Sequence, residues 1–517
     1  MGFFITMNTW SNGYVTEIGY TYGYYEELNP IRNSLALLNA GYSPVADGIH
    51  CELGFGQGLS ININAAATGD EWYGNDFNPT QVAFAQNLQK VTNSNLNITD
   101  ESFEEFCSRT DLPQFDTISL HGIWSWISEE NRKYIVDFIR RKLKVGGVVY
   151  ISYNTLPGWA SFEPVRKMLT QHSQLMGHEG ESIESKIKNS LKFLETVVNL
   201  NPAFLQNNEI LKLKINQIKI QDPKYLAHEY FNADWQPMYF SDILRKLHPA
   251  KLTYCASANL LDQIESINLT SEMRNSLSQI ENRIYKESMR DYLVNQQFRK
   301  DYWIKGGVKL SKIEREEKLK KLKVILISNP EDIILKVQGA LGTANLNEQI
   351  YIPIIEFLSS HSVITLEEIY YATNKSTLNY NNLMEVVMLL VAKGNLSLVQ
   401  DDVKYNKSKI HAQKLNHYFI ENSINNENIN YLASPLTGSA FFVSRIELML
   451  LNESNLNNKQ INLNPEKVFE KLSSLGQKLI TASKPLLTKE DNIKELNEIA
   501  NNLIKKKIPI LKKISII

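Results

Sequence analysis

Between Cys51 and Pro79 the chain reads CELGFGQGLSININAAATGDEWYGNDFNP, and no other stretch restricts the fold so tightly. A short apolar strand runs into Glu52, and Gly54, Gly56 and Gly58 follow at alternate positions. Glycines at that density suit a turn whose backbone takes conformations that side chains resist. A helix-compatible run comes next, then a second strand, Glu71 to Asn75, closed by Asp76-Phe77-Asn78-Pro79. Strand, glycine turn, helix, strand and acid form the opening half of a nucleotide-binding α/β domain. A dinucleotide fingerprint needs its third glycine where this chain has Leu59, so that fingerprint is broken.

The spacing G-x-G-x-G after an acid, Glu52-Leu53-Gly54-Phe55-Gly56-Gln57-Gly58, resembles the first motif of class I S-adenosylmethionine-dependent methyltransferases. The chemistry agrees, because that ligand has no pyrophosphate to cradle on a helix N-terminus. Its methionine arm needs backbone without Cβ atoms beside it and an acid for its amino group. Asp76, at the second strand end, can accept from both ribose hydroxyls, and Phe77 offers a ring to the adenine. The opposing reading is a tight strand-to-helix turn in a domain that binds NAD or nothing.

The 517 residues suggest about two to four domains. A formal net charge of −1 gives no overall field toward nucleic acid or an anionic membrane. Cys51, Cys107 and Cys255 are far apart and form no pairwise motif, as in a reduced, cytoplasmic protein without disulfides or a zinc site. The 9 histidines show no metal-ligand spacing. The start, MGFFITMNTWSNGY, does not read as a signal peptide, and no apolar run approaches the ~18 residues of a membrane span.

Residues 14–25, YVTEIGYTYGYY, precede a helix at Pro30 to Ala40, and Tyr20 and Tyr22 are candidates for a lid over the methionine end or for plain surface packing. After the second strand a helix starts at Pro79, a third strand covers Leu96 to Thr99, and Asp100 or Ser102 at its end can hold the adenine amino group. Phe103 reads as core. Phe115 to Leu120 is a fourth strand running into His121-Gly122-Ile123-Trp124-Ser125-Trp126-Ile127, and Val148 to Tyr153 a fifth running into Asn154-Thr155-Leu156-Pro157-Gly158-Trp159. Such alternation means a parallel sheet with ligands at the carboxyl ends of its strands.

The pair HGIWSWI and SYNTLPGW resembles a bacterial family of class I methyltransferases with an appended methyltransferase regulatory region. Within it the chain is similar to the rickettsial protein-lysine methyltransferases that modify outer-membrane proteins. LAHEYFNADWQPMYFSDIL (226–244) and NQQFRKDYW (295–303) carry the same resemblance. It implies an α/β, Rossmann-like core of seven strands with a helical insertion, followed by mainly α middle and C-terminal domains. The core takes 1–160 and 223–260, with Trp235 to Tyr239 and Lys251 to Ala256 as its last two strands. The insertion is 161–222, a natural dimer surface for which the resemblance implies a homodimer; the opposing reading is a cap over the site with no partner involved. A helical and winged-helix-like middle domain spans 261–405 and a C-terminal domain 406–517. The middle domain's third helix, NNLMEVVMLLVAK, lacks the basic face of a DNA reader, so no nucleic-acid partner is expected. Lys505-Lys506-Lys507 and Lys512-Lys513 read as a solvated basic tail.

The cofactor set is therefore Tyr20, Tyr22, Glu52, Gly54, Phe55, Gly56, Asp76, Phe77, Asp100, Ser102 and His121, for S-adenosyl-L-methionine and its product S-adenosyl-L-homocysteine. Methyl transfer to lysine needs a neutral amine, and at neutral pH supplying it costs about 4 kcal/mol from a pKa near ~10.4. A desolvated aromatic pocket lowers that pKa. Tyr153 and Asn154 are expected to orient the amine, and Trp124, Trp159 and Tyr239 to wall its channel, with cation–π attraction for the incoming ammonium. Trp126 is expected to face the core; His228 and Glu229 could relay a proton but read as a surface pair. The expected acceptor is a lysine of an outer-membrane protein, still unfolded before export. The alternative is a small-molecule or nucleic-acid N-methyltransferase on the same fold, and a third reading is a binding module with a degenerate cofactor fold.

Overall fold

A computed structural model describes residues 14, 22–45, 48–178, 180–373, 379–454, 462–481 and 484–517. Its centre is a seven-stranded sheet of β1 (Ile49–Leu53), β2 (Glu71–Asn75), β3 (Leu96–Thr99), β4 (Phe115–Leu120), β5 (Leu143–Asn154), β6 (Leu252–Ser257) and β7 (Phe298–Lys305). The spatial order is β3-β2-β1-β4-β5-β7-β6. β1 to β5 run parallel, and β7 lies antiparallel to both β5 and β6. The order reverses between β1 and β4, so the carboxyl ends of those two strands frame the crevice where such a sheet binds its ligand.

The last strand differs from expectation. Trp235 to Tyr239 is no strand; the segment crosses the crevice rim, with Gln236 N–H donating to Ser125 C=O (2.7 Å) and Met238 N–H to Asn154 C=O (2.9 Å). Pro237 has no N–H for a ladder. Phe298–Lys305 takes the place instead, far along the chain from the expected core. Its charged pattern hides it in sequence, because Arg299 and Asp301 are both buried and neutralise one another through Nε to Oδ2, 2.9 Å.

Helices α1 (Pro30–Asn39), α2 (Leu59–Thr68), α3 (Pro79–Thr92), α4 (Phe103–Ser108) and α5 (Glu129–Lys142) surround the sheet. All ten residues of α2 are buried. Ile61 and Ala65 pack on Phe55, Trp72 and Val82, while Leu59, Ile63, Ala66 and Ala67 meet Ala412, Leu415 and Phe419 of the C-terminal helix Asp402–Glu421. A helix buried on every side needs two layers to cover it, and the C-terminal domain is the second. The helix that carries the glycine turn is thus clamped from both faces.

The insertion folds as Glu163–Met176, Ile183–Asn199, Glu209–Lys219 and Pro223–Tyr230 around Trp159, Phe162, Leu169, Leu194 and Ile215. Beyond the main sheet come β8 (Lys323–Leu326), the hairpin β9 (Lys336–Gly339) and β10 (Gly342–Asn345), then β11 (Ile364–Thr365) and β12 (Leu396–Leu398). β8 is the centre of a sheet ordered β11-β8-β12, with helices Glu348–Leu358, Leu366–Thr373 and Tyr380–Ala392. In the third of these, Leu383, Met384 and Val386 to Val391 are buried, so its apolar residues face inward. The C-terminal domain adds the hairpin β13 (Tyr431–Ser434) and β14 (Ser439–Phe442). The expected basic tail is docked rather than free: Ile508, Ile510, Leu511, Ile514 and Ile516 are buried, and Lys507 pairs with Glu447 at 2.7 Å.

Candidate active site

A cleft of about 1220 Å³ opens at the carboxyl ends of β1, β2 and β4. The glycine turn forms its floor. Gly54, Gly56 and Gly58 have φ of 66°, 60° and 68°, in the left-handed region that favours glycine. A Cβ on Gly54 would lie 2.5 Å from Ile123 Cδ1, and one on Gly58 would lie 2.5 Å from Ala85 Cβ. Any other residue is strained at both positions by conformation, and at Gly58 it also collides with the Cβ of Ala85. Gly54 N–H donates to Asn75 C=O (2.8 Å), which carries the β1–β2 ladder into the turn.

Glu52 is 3% exposed, and its Oε2 has no hydrogen-bond partner among the described residues. Burial, with Asp76 nearby, pushes its carboxyl up to about 8. Asp76 sits across the floor. Its Oδ2 accepts from Gly56 N–H and its Oδ1 from Asn78 N–H, both at 2.9 Å, and burial outweighs those bonds to push it up to about 6. Asn75 also faces the cleft with Oδ1 unpartnered among the described residues, while its Nδ2 donates to Glu101 C=O at 2.9 Å. Two buried carboxyls and an unused amide oxygen are acceptors short of donors. They suit a ligand that brings an ammonium and hydroxyls.

Phe55, Phe77, Ser102 and His121 line this cleft with Glu52, Gly54, Gly56 and Asp76. Ser102 owes its position to capping: its Oγ accepts from Glu105 N–H (3.2 Å) and Glu105 returns the bond to Ser102 N–H (2.8 Å). Asp100, the other candidate there, is exposed and outside the cleft. His121 Nδ1 shares a 2.8 Å hydrogen bond with Tyr150 Oη, and burial drives its pKa down to about 3, so the ring is neutral. Tyr20 lies outside the described residues. Tyr22 packs edge-on against Phe84 (5.1 Å, 82°) away from the cleft, and Tyr25 takes the lid position by stacking on His121 at 3.7 Å and 25°. Tyr14 meets Phe77 edge-on at 5.7 Å and lines the opposite wall. Of the two tyrosines expected to form the lid, Tyr22 is turned away and Tyr20 lies outside the described residues, while Tyr25 of the same segment turns inward.

The acceptor assignments fare differently. None of Tyr153, Asn154, Trp124, Trp159 and Tyr239 lines the cleft. Tyr153 is fully buried and donates its hydroxyl to Asp301 Oδ2 at 2.7 Å, inside the sheet. Trp124 is fully buried among Phe115, Phe138 and Ile139, because Gly122 N–H is held by Ser152 Oγ (2.8 Å) and the chain turns the indole under the sheet. Trp126, expected in the core, is buried with the insertion's core and also lines the cleft, and its Nε1 donates to Glu229 C=O at 3.3 Å. Asn154 is buried beside Ser125, whose Oγ accepts its N–H. Trp159 belongs to the insertion's core, with Lys214 Nζ 4.5 Å above its ring. Tyr239 is 37% exposed beside Tyr292, since the chain at 235–239 forms the rim instead of a strand.

His228 is 4% exposed and stacks obliquely on Tyr14, so it is not the surface residue expected. Burial raises Glu229 to about 7, with Lys214 opposing. Asn131, Ser128, Gln81 and Asp234 also line the cleft and carry no motif that could have announced them. Among the described residues no group of acids, histidines and cysteines could hold a metal ion.

Residues 51–151 match the family described as methyltransferase domain, and residues 222–305 the family described as predicted methyltransferase regulatory domain. The uncharacterized protein sll1526 of Synechocystis is 36% identical over 513 residues, 98% of this chain and 100% of that protein. The uncharacterized protein RP789 of Rickettsia prowazekii is 27% identical over 245 residues, 46% of this chain and 43% of that one. Among solved structures, PKMT2 from Rickettsia typhi in complex with AdoHcy is similar in fold with a TM-score of 0.63 at 17% identity, over 94% of this chain and 98% of that chain.

Proposed function

Because the chain belongs to the class I S-adenosylmethionine-dependent methyltransferases that carry a methyltransferase regulatory region, we propose that it methylates lysine amines of a protein substrate. Its cofactor is S-adenosylmethionine, and the cleft fits it: Glu52 offers an unpartnered carboxyl to the amino group, Asp76 and Asn75 offer acceptors to the ribose, and Phe77 and Ser102 flank the adenine position. Bound there, the cofactor supplies an electrophilic methyl group. The protein's tasks are then to hold the amine in line, exclude water and give its proton a path.

Of the described groups that line the cleft, His121 is held neutral by burial, and the raised carboxyls of Glu52 and Asp76 are assigned to the cofactor. Glu229, raised to about 7, stands behind Trp126 and is suited to take up a proton from a desolvating ammonium. Trp126 and Tyr25 supply the aromatic surfaces along which the amine would pass.

The observation that carries a polypeptide acceptor is the extent of the likeness to PKMT2, which spans 94% of this chain and so includes the insertion, middle and C-terminal domains. The proposed substrate is an outer-membrane protein in its unfolded form before export, met in the cytoplasm by a homodimer. Leu175, Met176, Leu200, Ile210, Leu213 and Ile220 are exposed apolar side chains of the insertion, a concentration that favours a protein contact there. Among the described residues no helix is long and apolar enough to cross a membrane. The test is mass spectrometry of an unfolded surface protein after incubation with labelled cofactor, beside small amines and RNA. Label on lysines alone supports the reading, and label on the small amines or RNA in preference would overturn it.

A further inference from the structure

A second cavity, of about 1390 Å³, lies behind the segment 22–29. Successive residues of that strap divide between the two spaces: Gly23 and Tyr25 line the cofactor cleft, Tyr24 and Glu26 the second cavity. The chain at 23–26, extended up to Tyr25 and entering a 3-10 turn at Glu26, is therefore the wall between them. It is fastened to α2, with Tyr25 N–H donating to Ser60 Oγ (2.9 Å) and Tyr24 Oη to Asn64 Oδ1 (3.0 Å).

The other walls are two sheet edges. β12 is the outer strand of its sheet. Ile327 N–H donates to Asn395 C=O (2.8 Å) and Val399 N–H to Lys323 C=O (2.9 Å), so the alternate residues Leu396 and Leu398 point their N–H groups away from β8. β14 is also an edge strand, with part of its outer side already engaged. Val443 N–H donates to Asn430 C=O (3.0 Å), which leaves Ala440 and Phe442 pointing away from β13. Ala440 meets the Tyr24 hydroxyl, and Phe442 C=O accepts from Lys507 Nζ at 3.4 Å. Open edges of this kind offer backbone groups in the spacing that another extended chain satisfies. Ile327, Val391, Leu398, Tyr431, Phe441 and Ile510 give the space apolar surfaces for alternate side chains. Arg32 lines it too, 8% exposed, with its guanidinium held by Ala258 C=O (3.1 Å) and Glu26 (2.9 Å).

We propose that this cavity receives an extended polypeptide segment of the substrate, added as a strand along β12 and β14. The segment would lie against the strap, one chain thickness from the cofactor cleft. The proposal rests on the protein-lysine reading for the identity of its ligand. Recognition through backbone groups reads extension rather than sequence, which suits an unfolded acceptor with several lysines.

The experiment uses the full chain with a long unstructured lysine-bearing peptide and, in parallel, N-acetyl-lysine methylamide. Hydrogen exchange at the 396, 398 and 442 amides is expected to slow when the peptide is added, and unchanged exchange at a saturating concentration would overturn the proposal. Slowing that appears without peptide on raising the protein concentration would assign the edge to a second copy and also overturn it. Leu398→Pro removes an outward N–H and spares the ladder to β8. It is expected to lose about tenfold in kcat/KM for the peptide relative to the single-residue amine, as one lost backbone bond predicts. Equal loss for both amines would sink the docking role. Exchange is read without turnover, so a wild type whose edge is protected by peptide but which methylates no lysine would refute the enzymatic reading and leave the docking intact.

Discussion

Gly56 N–H donates to Asp76 Oδ2 at 2.9 Å, joining the glycine turn after β1 to the end of β2. In the proposed reading the strand-end carboxylate has two jobs: it would present acceptors to the ribose, and it fixes the turn that would lie beside the methionine arm. Asp76→Ala removes both. Calorimetry with S-adenosylhomocysteine is expected to show loss of measurable affinity, and Asp76→Asn a loss of at least about tenfold, because one end of the amide would set N–H against N–H. Unchanged affinity in either variant would remove Asp76 from the site.

Glu52, in its proposed role toward the cofactor's amino group, is expected to make binding depend on pH. In the ligand-free protein its carboxyl is raised to about 8 by burial and by Asp76, and a bound ammonium would stabilise its ionised form. Binding near pH 7 must then release a proton. Affinity for S-adenosylhomocysteine is expected to rise from pH 6 to 8, with proton release visible in buffers of different ionisation enthalpy. The stability of the free protein runs the other way. The unfolded glutamate ionises near ~4.3, so its contribution is complete below that and is lost as pH climbs toward 8. Glu52→Gln should flatten both profiles. A variant that keeps the wild-type proton release would refute the pairing.

The stacked rings of Tyr25 and His121 close the inner end of the cleft. Tyr25→Ala is expected to weaken cofactor affinity about tenfold through lost aromatic contact and an unclosed strap. His121, held near 3, is uncharged above pH 5, so His121→Gln should change rates without changing the shape of the pH–rate profile. A profile that loses a limb near pH 6 in that variant would show a titrating histidine and contradict its neutral state.

Arg299 is buried among Asp301, Asp291 and Glu287, with Tyr254 and Tyr153 hydroxyls on the same network. It ties β7 to the helix Arg283–Leu293. Arg299→Met leaves three acids without their counter-charge and is expected to cost about 3–5 kcal/mol in urea unfolding. Tyr153→Phe removes one bond to Asp301 and should cost about 1–1.5 kcal/mol with kcat retained. A large fall in kcat at normal stability would return Tyr153 to the acceptor site.

What could be read from sequence was what the backbone dictates. The glycines, Asp76 at a strand end and Ser102 at a helix start hold their positions through main-chain geometry, which leaves a local signature. The aromatic positions depend instead on which way a loop turns. Trp124 and Trp126 share one loop and differ only in the face each meets, and Tyr22 and Tyr25 share one strap. β7 was hidden because its charged residues are paired with partners as far away in sequence as Glu287 and Tyr153, and no local pattern records such a pairing. Asp234 and Asn131 reach the cleft from the rim segment and from α5, by tertiary placement alone.

The two indoles of that loop give the sharpest separation of core from site. Trp124 fills space between β4 and α5 with no exposed surface, so Trp124→Ala should leave a cavity and cost about 3–5 kcal/mol in denaturant unfolding. Trp126 is 7% exposed, faces the cleft and holds Glu229 C=O through Nε1. Trp126→Phe keeps the apolar wall and removes the hydrogen bond, which should raise KM for the amine more than it lowers stability. If both variants lose stability alike and neither alters KM, the loop is scaffold throughout, and the acceptor must approach from another side of the cleft.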